Sequence, residues 1–351
     1  MNEKKSIAKL NFTYLSLMEV VCALAVVGLH TNGVFWRFST ARYWFTANII
    51  ECVFYFAVPV FFMMTGVTLI DFNKRYGLKT YFHKRFRKVV IPFLIWSLVG
   101  LGCHLITHSI HLKDLSISFI INGILSSSFV GIYWFFIPLI CVYFCIPLFS
   151  AVSDEKKLTV FKYLVGITFL INSLIPFVLK IIGGGTGSYN LNVMVGSNHL
   201  IYVLLGYILS RITLSRKQCY LIYALAVAGL LAHIIGTYYL SIHAGKIIDY
   251  YKGYLNVPCI LYSVGIFVLL RQISDQIMSC SILAKIVNFL KPYTFAIYLL
   301  QWFFMSILVG RLHINAYSII YRLGGIIVVT LLCVITTYII RKMPYGRTLL
   351  P

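Results

Sequence analysis

The sequence predicts an all-α, polytopic bundle of about ten membrane-spanning helices, and three observations carry that reading. Hydrophobic residues make up 60% of the 351-residue chain and charged ones 11%, with a mean hydropathy of +0.89, far from the average of soluble domains. Apolar runs long enough to cross a bilayer recur along the whole chain, with no room between them for a soluble domain. Lys and Arg fall mostly on alternate connections, as cytoplasmic loops require.

The first apolar run is placed at 12–33. It follows a basic start and has no small-residue cleavage site behind it, so it is expected to remain as an anchor. It carries two ionisable residues, Glu19 and His30, eleven positions apart. That spacing is close to three helical turns and puts both on one face, about 16 Å apart along the axis. A charged group inside a bilayer costs roughly 2.5 kcal/mol or more, so such residues mark a functional path by default. The plainer alternative is a neutral His30 at the outer helix end and a protonated or snorkelling Glu19 at the inner end.

Further spans are expected at 44–71, 89–108, 132–153, 158–182, 198–212, 219–242, 257–274, 293–311 and 322–340. The sixth is short and follows the Gly-rich stretch 183–187. No internal repeat is evident, and residues 1–351 read as a single membrane domain. With an even number of spans, one side receives about 21 of the 30 Lys and Arg residues, including Lys4, Lys5, Lys9, Lys156 and Lys157. That side is the cytoplasm by the positive-inside rule, so both termini are placed there. Much of the net charge of +21 is then topology, which argues against a nucleic-acid partner.

One basic cluster exceeds what topology requires: Lys84, Arg85, Arg87 and Lys88, just ahead of the third span. It suits anionic lipid headgroups, at about 1 kcal/mol per cation near the surface. It equally suits the phosphates of a nucleotide-containing donor; composition alone favours lipid. The nine cysteines are scattered without a Cys-x-x-Cys pair and read as small packing residues. His104 and His108, four apart, have the spacing of a metal pair but no acidic companion, so no metal site is expected.

Several stretches together resemble the acyltransferase-3 family of bacterial integral membrane acyltransferases. They are the first span ending in His30, the run from Val58 and Pro59 to Gly66, and the cluster from Lys84 to Pro92 leading to Trp96. Tyr133, Trp134 and Pro138 follow, then Leu204 to Tyr207, then Phe295 to Tyr298. Each motif is loose; their order over roughly residues 10–310 is the specific feature. The resemblance implies about ten helices and transfer of an acyl group, usually acetyl from acetyl-CoA, onto surface polysaccharide. The chain departs from the family at three positions: Glu19 where a cation is usual, Tyr55 where Arg is frequent, and Gln301 where His is common. A carboxylate in place of a cation reverses the effect on a nearby phosphate.

Acyl transfer to a hydroxyl needs a base for the hydroxyl proton and a donor to stabilise the oxyanion. His30 is the expected base, since its reference pKa lies near neutrality. Glu51, early in the second span, lies at a similar depth and is the expected partner of its ring; the alternative is a helix-end Glu51 that faces water. Lys84, Arg85, Arg87 and Lys88 are the expected contacts of the acyl-CoA donor. Arg37, Tyr133 and Trp134, near the outer boundary, are the expected acceptor contacts, the alternative for the aromatics being an interfacial belt. The expected protein is therefore a multi-pass O-acyltransferase of the bacterial cytoplasmic membrane, with acetyl-CoA as donor substrate and a lipid-linked or surface glycan as acceptor. An exporter or flippase of such a glycan, without transfer chemistry, is the reading that the three departures keep open.

Overall fold

The computed structural model describes residues 13–183, 192–196 and 199–351. The basic start at Lys4, Lys5 and Lys9 lies outside the described residues, as do Gly184, Gly185 and Gly187 of the Gly-rich stretch. Among the described residues every regular element is helical. Nine helical runs are long and apolar enough to cross a membrane: α1 (Thr13–Thr31), α2 (Arg42–Lys74), α3 (Leu78–Ile106), α4 (Gly131–Ser150), α5 (Asp154–Ile182), then α7 (Arg216–Ala244), α8 (Val257–Ser279), α9 (Ser281–Arg311) and α10 (Ile319–Ile340). The short apolar helix α6 (Leu200–Arg211) lies between α5 and α7 and completes the expected ten.

Helix ends differ from expectation where charge obscured them. α3 starts at Leu78, so the basic cluster rides on its first turns instead of preceding it, and α9 starts at Ser281 instead of 293. Lys and Arg are good helix formers, and a helix that has left hydrocarbon keeps winding through them. Apolar pattern registers only the part inside the bilayer. A π-helical turn over Phe86–Val90 interrupts α3 within the cluster, a local widening that often accompanies functional sites.

α2 breaks at Tyr55 and Phe56. Pro59 has no N–H to return to the Tyr55 carbonyl four residues earlier, and regular bonding resumes with Val60 N–H to Phe56 O at 3.0 Å. Beyond the break α2 crosses α6 with backbones in contact. A methyl group on Gly66 would sit 1.9 Å from the Val203 carbonyl oxygen, and one on Gly206 would sit 2.1 Å from that of Met63. Small residues of this kind let membrane helices approach when lipid supplies no hydrophobic drive. α1, α2 and α8 are mostly buried inside the bundle, whereas α5 and α7 turn most of their surface outward.

Polar staples close the two ends. At one end Asp71 of α2 takes Lys157 of α5 at 3.0 Å and Arg211 of α6 at 2.6 Å, while Lys74 reaches Asp154 at 2.7 Å. The basic cluster lies at this end, called here the basic end. At the opposite end the buried Arg322 of α10 donates to Thr46 Oγ1 at 2.7 Å and to the Tyr43 carbonyl at 3.3 Å, and Thr31 of α1 donates to the Arg322 carbonyl at 2.9 Å. Lys157, which the sequence offered only as a topology signal, is thus a tie between helices, as are Arg211 and Arg322.

Candidate active site along the first helix

Leu15, Glu19, Val26 and His30 lie at helical spacings of four, seven and four, so α1 presents them as one stripe. That stripe lines two cavities placed end to end. The larger, about 910 Å³, lies toward the end opposite the basic one and is lined by His30, Glu51, Arg37 and Trp134 among others. The smaller, about 290 Å³, lies toward the basic end and is lined by Glu19, Thr294 and Tyr143 within mostly apolar walls. Val26, Val58, Phe135 and Tyr298 line both and form the neck between them. The break at Pro59 leaves Tyr55 and Val58 as part of the larger cavity's wall.

His30 faces this cavity and is not sealed by aliphatic neighbours. The Gln301 amide adjoins its ring, and the Tyr298 ring centre is 6.5 Å away. Its Nδ1 is buried with no hydrogen-bond partner. Gln301 is itself fully buried and donates to the Tyr298 carbonyl at 3.3 Å. The departure from family pattern at 301 therefore replaces one hydrogen-bonding side chain by another beside the same imidazole.

Glu51 lines the same cavity, but its ring partner is not His30. Its Oε1 lies 3.1 Å from Nζ of Lys252, with both side chains almost fully buried, and Asn32 lies beside the carboxylate. No hydrogen bond between Glu51 and His30 is present among the described residues. Lys252 comes from the connection between α7 and α8, and its ammonium lies 3.6 Å from the Tyr55 ring centre and 4.5 Å from that of Trp36. Tyr55, the second departure, is therefore one face of an aromatic enclosure around a cation; an Arg at that position would put a second cation there.

The expected acceptor contacts divide. Arg37 is exposed at the cavity rim, where it donates to the Tyr317 hydroxyl at 3.3 Å. Trp134 lines the cavity and stacks on Tyr254 with centres 5.5 Å apart. Tyr133 does not reach the cavity: it is fully buried and donates to the Leu299 carbonyl at 2.6 Å. Adjacent residues of a tight helical turn point about 120° apart, so Trp134 and Tyr133 cannot share one face.

The basic cluster divides in the same way. Arg85 is half-buried beside Tyr143 of the smaller cavity's wall and holds its guanidinium 5.7 Å from that ring centre. Its Nε is buried with no hydrogen-bond partner. Lys84 sits 4.0 Å over the Tyr76 ring, while Arg87 and Lys88 are exposed. Glu19 accepts from Thr294 at 2.8 Å. His104 is hydrogen-bonded with the Phe129 carbonyl at 3.0 Å, and no cluster of metal-ligating residues occurs among the described residues.

Sequence reasoning missed Lys252, Thr294 and Tyr298. Lys252 lies in a polar connection without periodicity, and only the fold shows that this connection dips into the bundle. Tyr298 was visible as part of a motif but carried no sign of its place at the neck.

A multi-pass helical membrane protein with an axial pair of cavities meeting beside a histidine is the class that this arrangement defines. The chain belongs to the acyltransferase-3 family: the family's acyltransferase domain matches residues 12–339, nearly the whole chain. No curated protein and no solved structure matches it significantly.

Proposed function

We propose that the protein is a membrane-bound O-acyltransferase, with acetyl-CoA or another acyl-CoA as donor at the basic end and a hydroxyl of a lipid-linked or surface glycan as acceptor at the other. The observation that carries this reading is the end-to-end pair of cavities whose neck adjoins His30. Two reactants from opposite sides of a bilayer core about 30 Å thick must meet within it, and a slender thioester arm fits a narrow passage better than a glycan does. In this reading the bundle sits in a bacterial cytoplasmic membrane with the basic end and both termini in the cytoplasm.

The step follows from the residues at the neck. His30 accepts the proton of the acceptor hydroxyl as its oxygen attacks the thioester carbonyl. The C–S bond breaks, a C–O ester bond forms, and the imidazolium returns the proton to the departing thiolate. Gln301 orients the ring. Glu51, kept beside Lys252, has Oε2 without a partner and accepts a hydrogen bond from a second hydroxyl of the acceptor. Trp134 stacks on a sugar face and Arg37 stands at the entrance. Arg85 holds donor phosphates.

The test is transfer of labelled acetyl from acetyl-CoA to glycan in membranes, together with mass spectrometry of surface glycans after gene deletion. His30→Gln at wild-type abundance is expected to lower transfer by about 10²–10⁴-fold. Full transfer by that variant removes His30 as the base. Deletion that leaves glycan mass unchanged while lowering its export favours the exporter reading instead.

A further inference from the structure

The smaller cavity offers hydrogen-bond acceptors and no cation. Its lining contains one carboxylate, Glu19, and no Lys, Arg or His among the described residues. The threonine hydroxyl protons on its wall are already engaged inside the protein: Thr65 donates to the Phe61 carbonyl at 3.0 Å, Thr68 to that of Met64 at 2.8 Å, and Thr294 to Glu19 Oε1 at 2.8 Å. Apart from the Tyr143 hydroxyl, what faces a ligand is oxygen lone pairs, the Glu19 carboxylate foremost, on a side chain that is only half-buried. Two cations stand off the lining: Lys291 near Glu19, and Arg85 behind Tyr143.

A phosphate entering such a slot loses its hydration and meets a carboxylate, with no cation on the wall to compensate. A neutral chain bearing N–H groups instead gains charge-assisted hydrogen bonds. We infer that Glu19 is a specificity-determining residue of the smaller cavity, accepting hydrogen bonds from the N–H groups of a neutral, amide-bearing thioester arm and confining the donor's phosphates to Arg85 at the basic end. The departure from the family pattern at Glu19 is then a change in what part of the donor is gripped at this depth. The inference rests on the acyl-donor reading above.

Binding to the full chain in lipid nanodiscs separates the two. The probes are radiolabelled acetyl-CoA and S-acetylpantetheine, which has the same amide arm and no phosphates, measured by equilibrium dialysis. Glu19→Leu is expected to weaken both probes about tenfold or more, and Arg85→Gln to weaken acetyl-CoA alone. Glu19→Gln keeps the shape if the leucine variant does not fold, and is expected to weaken both probes by a smaller factor. Unchanged affinity for both probes in a monodisperse Glu19 variant overturns the inference. A wild-type chain that binds neither probe overturns the acyl-donor reading, and the inference with it.

Discussion

At the scale of single residues, the buried pair of Glu51 and Lys252 shows how partner choice depends on the fold. The carboxylate and the ammonium are 3.1 Å apart with almost no solvent contact, so neither has water to fall back on. Removing one partner of a buried pair leaves an uncompensated charge, at a cost of about 3–5 kcal/mol, whereas replacing both by neutral groups is far less harmful. Lys252→Met is therefore expected to lower the unfolding midpoint strongly in detergent, and the double variant Glu51→Gln with Lys252→Met to recover most of the loss. Thermal unfolding followed by tryptophan fluorescence checks this, and additive losses in the double variant contradict it. Glu51 and His30 line one cavity, but depth in the bilayer could not name the partner of Glu51. It was silent on Lys252, about 200 positions later in the sequence.

At the scale of elements, the crossing of α2 and α6 brings the two backbones into contact. Gly66 and Gly206 each face a carbonyl of the other helix at a distance no side chain tolerates, so the backbones would have to part. Gly66→Ala is expected to destabilise by about 1–3 kcal/mol, the range for overpacking, and Gly66→Leu to abolish accumulation of folded protein. By contrast Gly102, whose added methyl would meet nothing within 4 Å, is expected to accept alanine without loss. Size-exclusion profiles and melting points of the three variants decide between a backbone contact and a loose one. The glycines were plain in the sequence, both of them within family-like motifs, but which helix each one met was not. α3 makes a related point: the cluster from Lys84 to Lys88 was legible as charge, and only its winding on a helix shows that Arg85 alone of the four turns toward the smaller cavity.

At the scale of the whole molecule, the ends of the bundle differ in charge, and that difference predicts orientation. The side with Lys156 and the basic cluster is expected to face the cytoplasm. Single cysteines at 156 and at 113, in a background with the native cysteines replaced, are expected to react with a membrane-impermeant maleimide from opposite sides. Labelling of position 156 in intact spheroplasts is the contrary result. The same polarity orders the two cavities: the smaller, carrying Glu19, sits nearer the basic end, and the larger, with aromatic walls and Arg37 at its rim, nearer the other.

The sequence by itself determined that the chain is a helical membrane bundle of about ten apolar helices with an ionisable stripe on the first, because hydrophobic length and helical periodicity are local properties. It also determined the family, because motif order survives without coordinates. Tertiary structure decided which polar groups meet: Lys252 with Glu51, Gln301 with His30, Thr294 with Glu19, and Tyr133 with the core instead of the cavity. Those pairings join segments tens to hundreds of residues apart, and burial makes a polar group take whatever partner the packing brings.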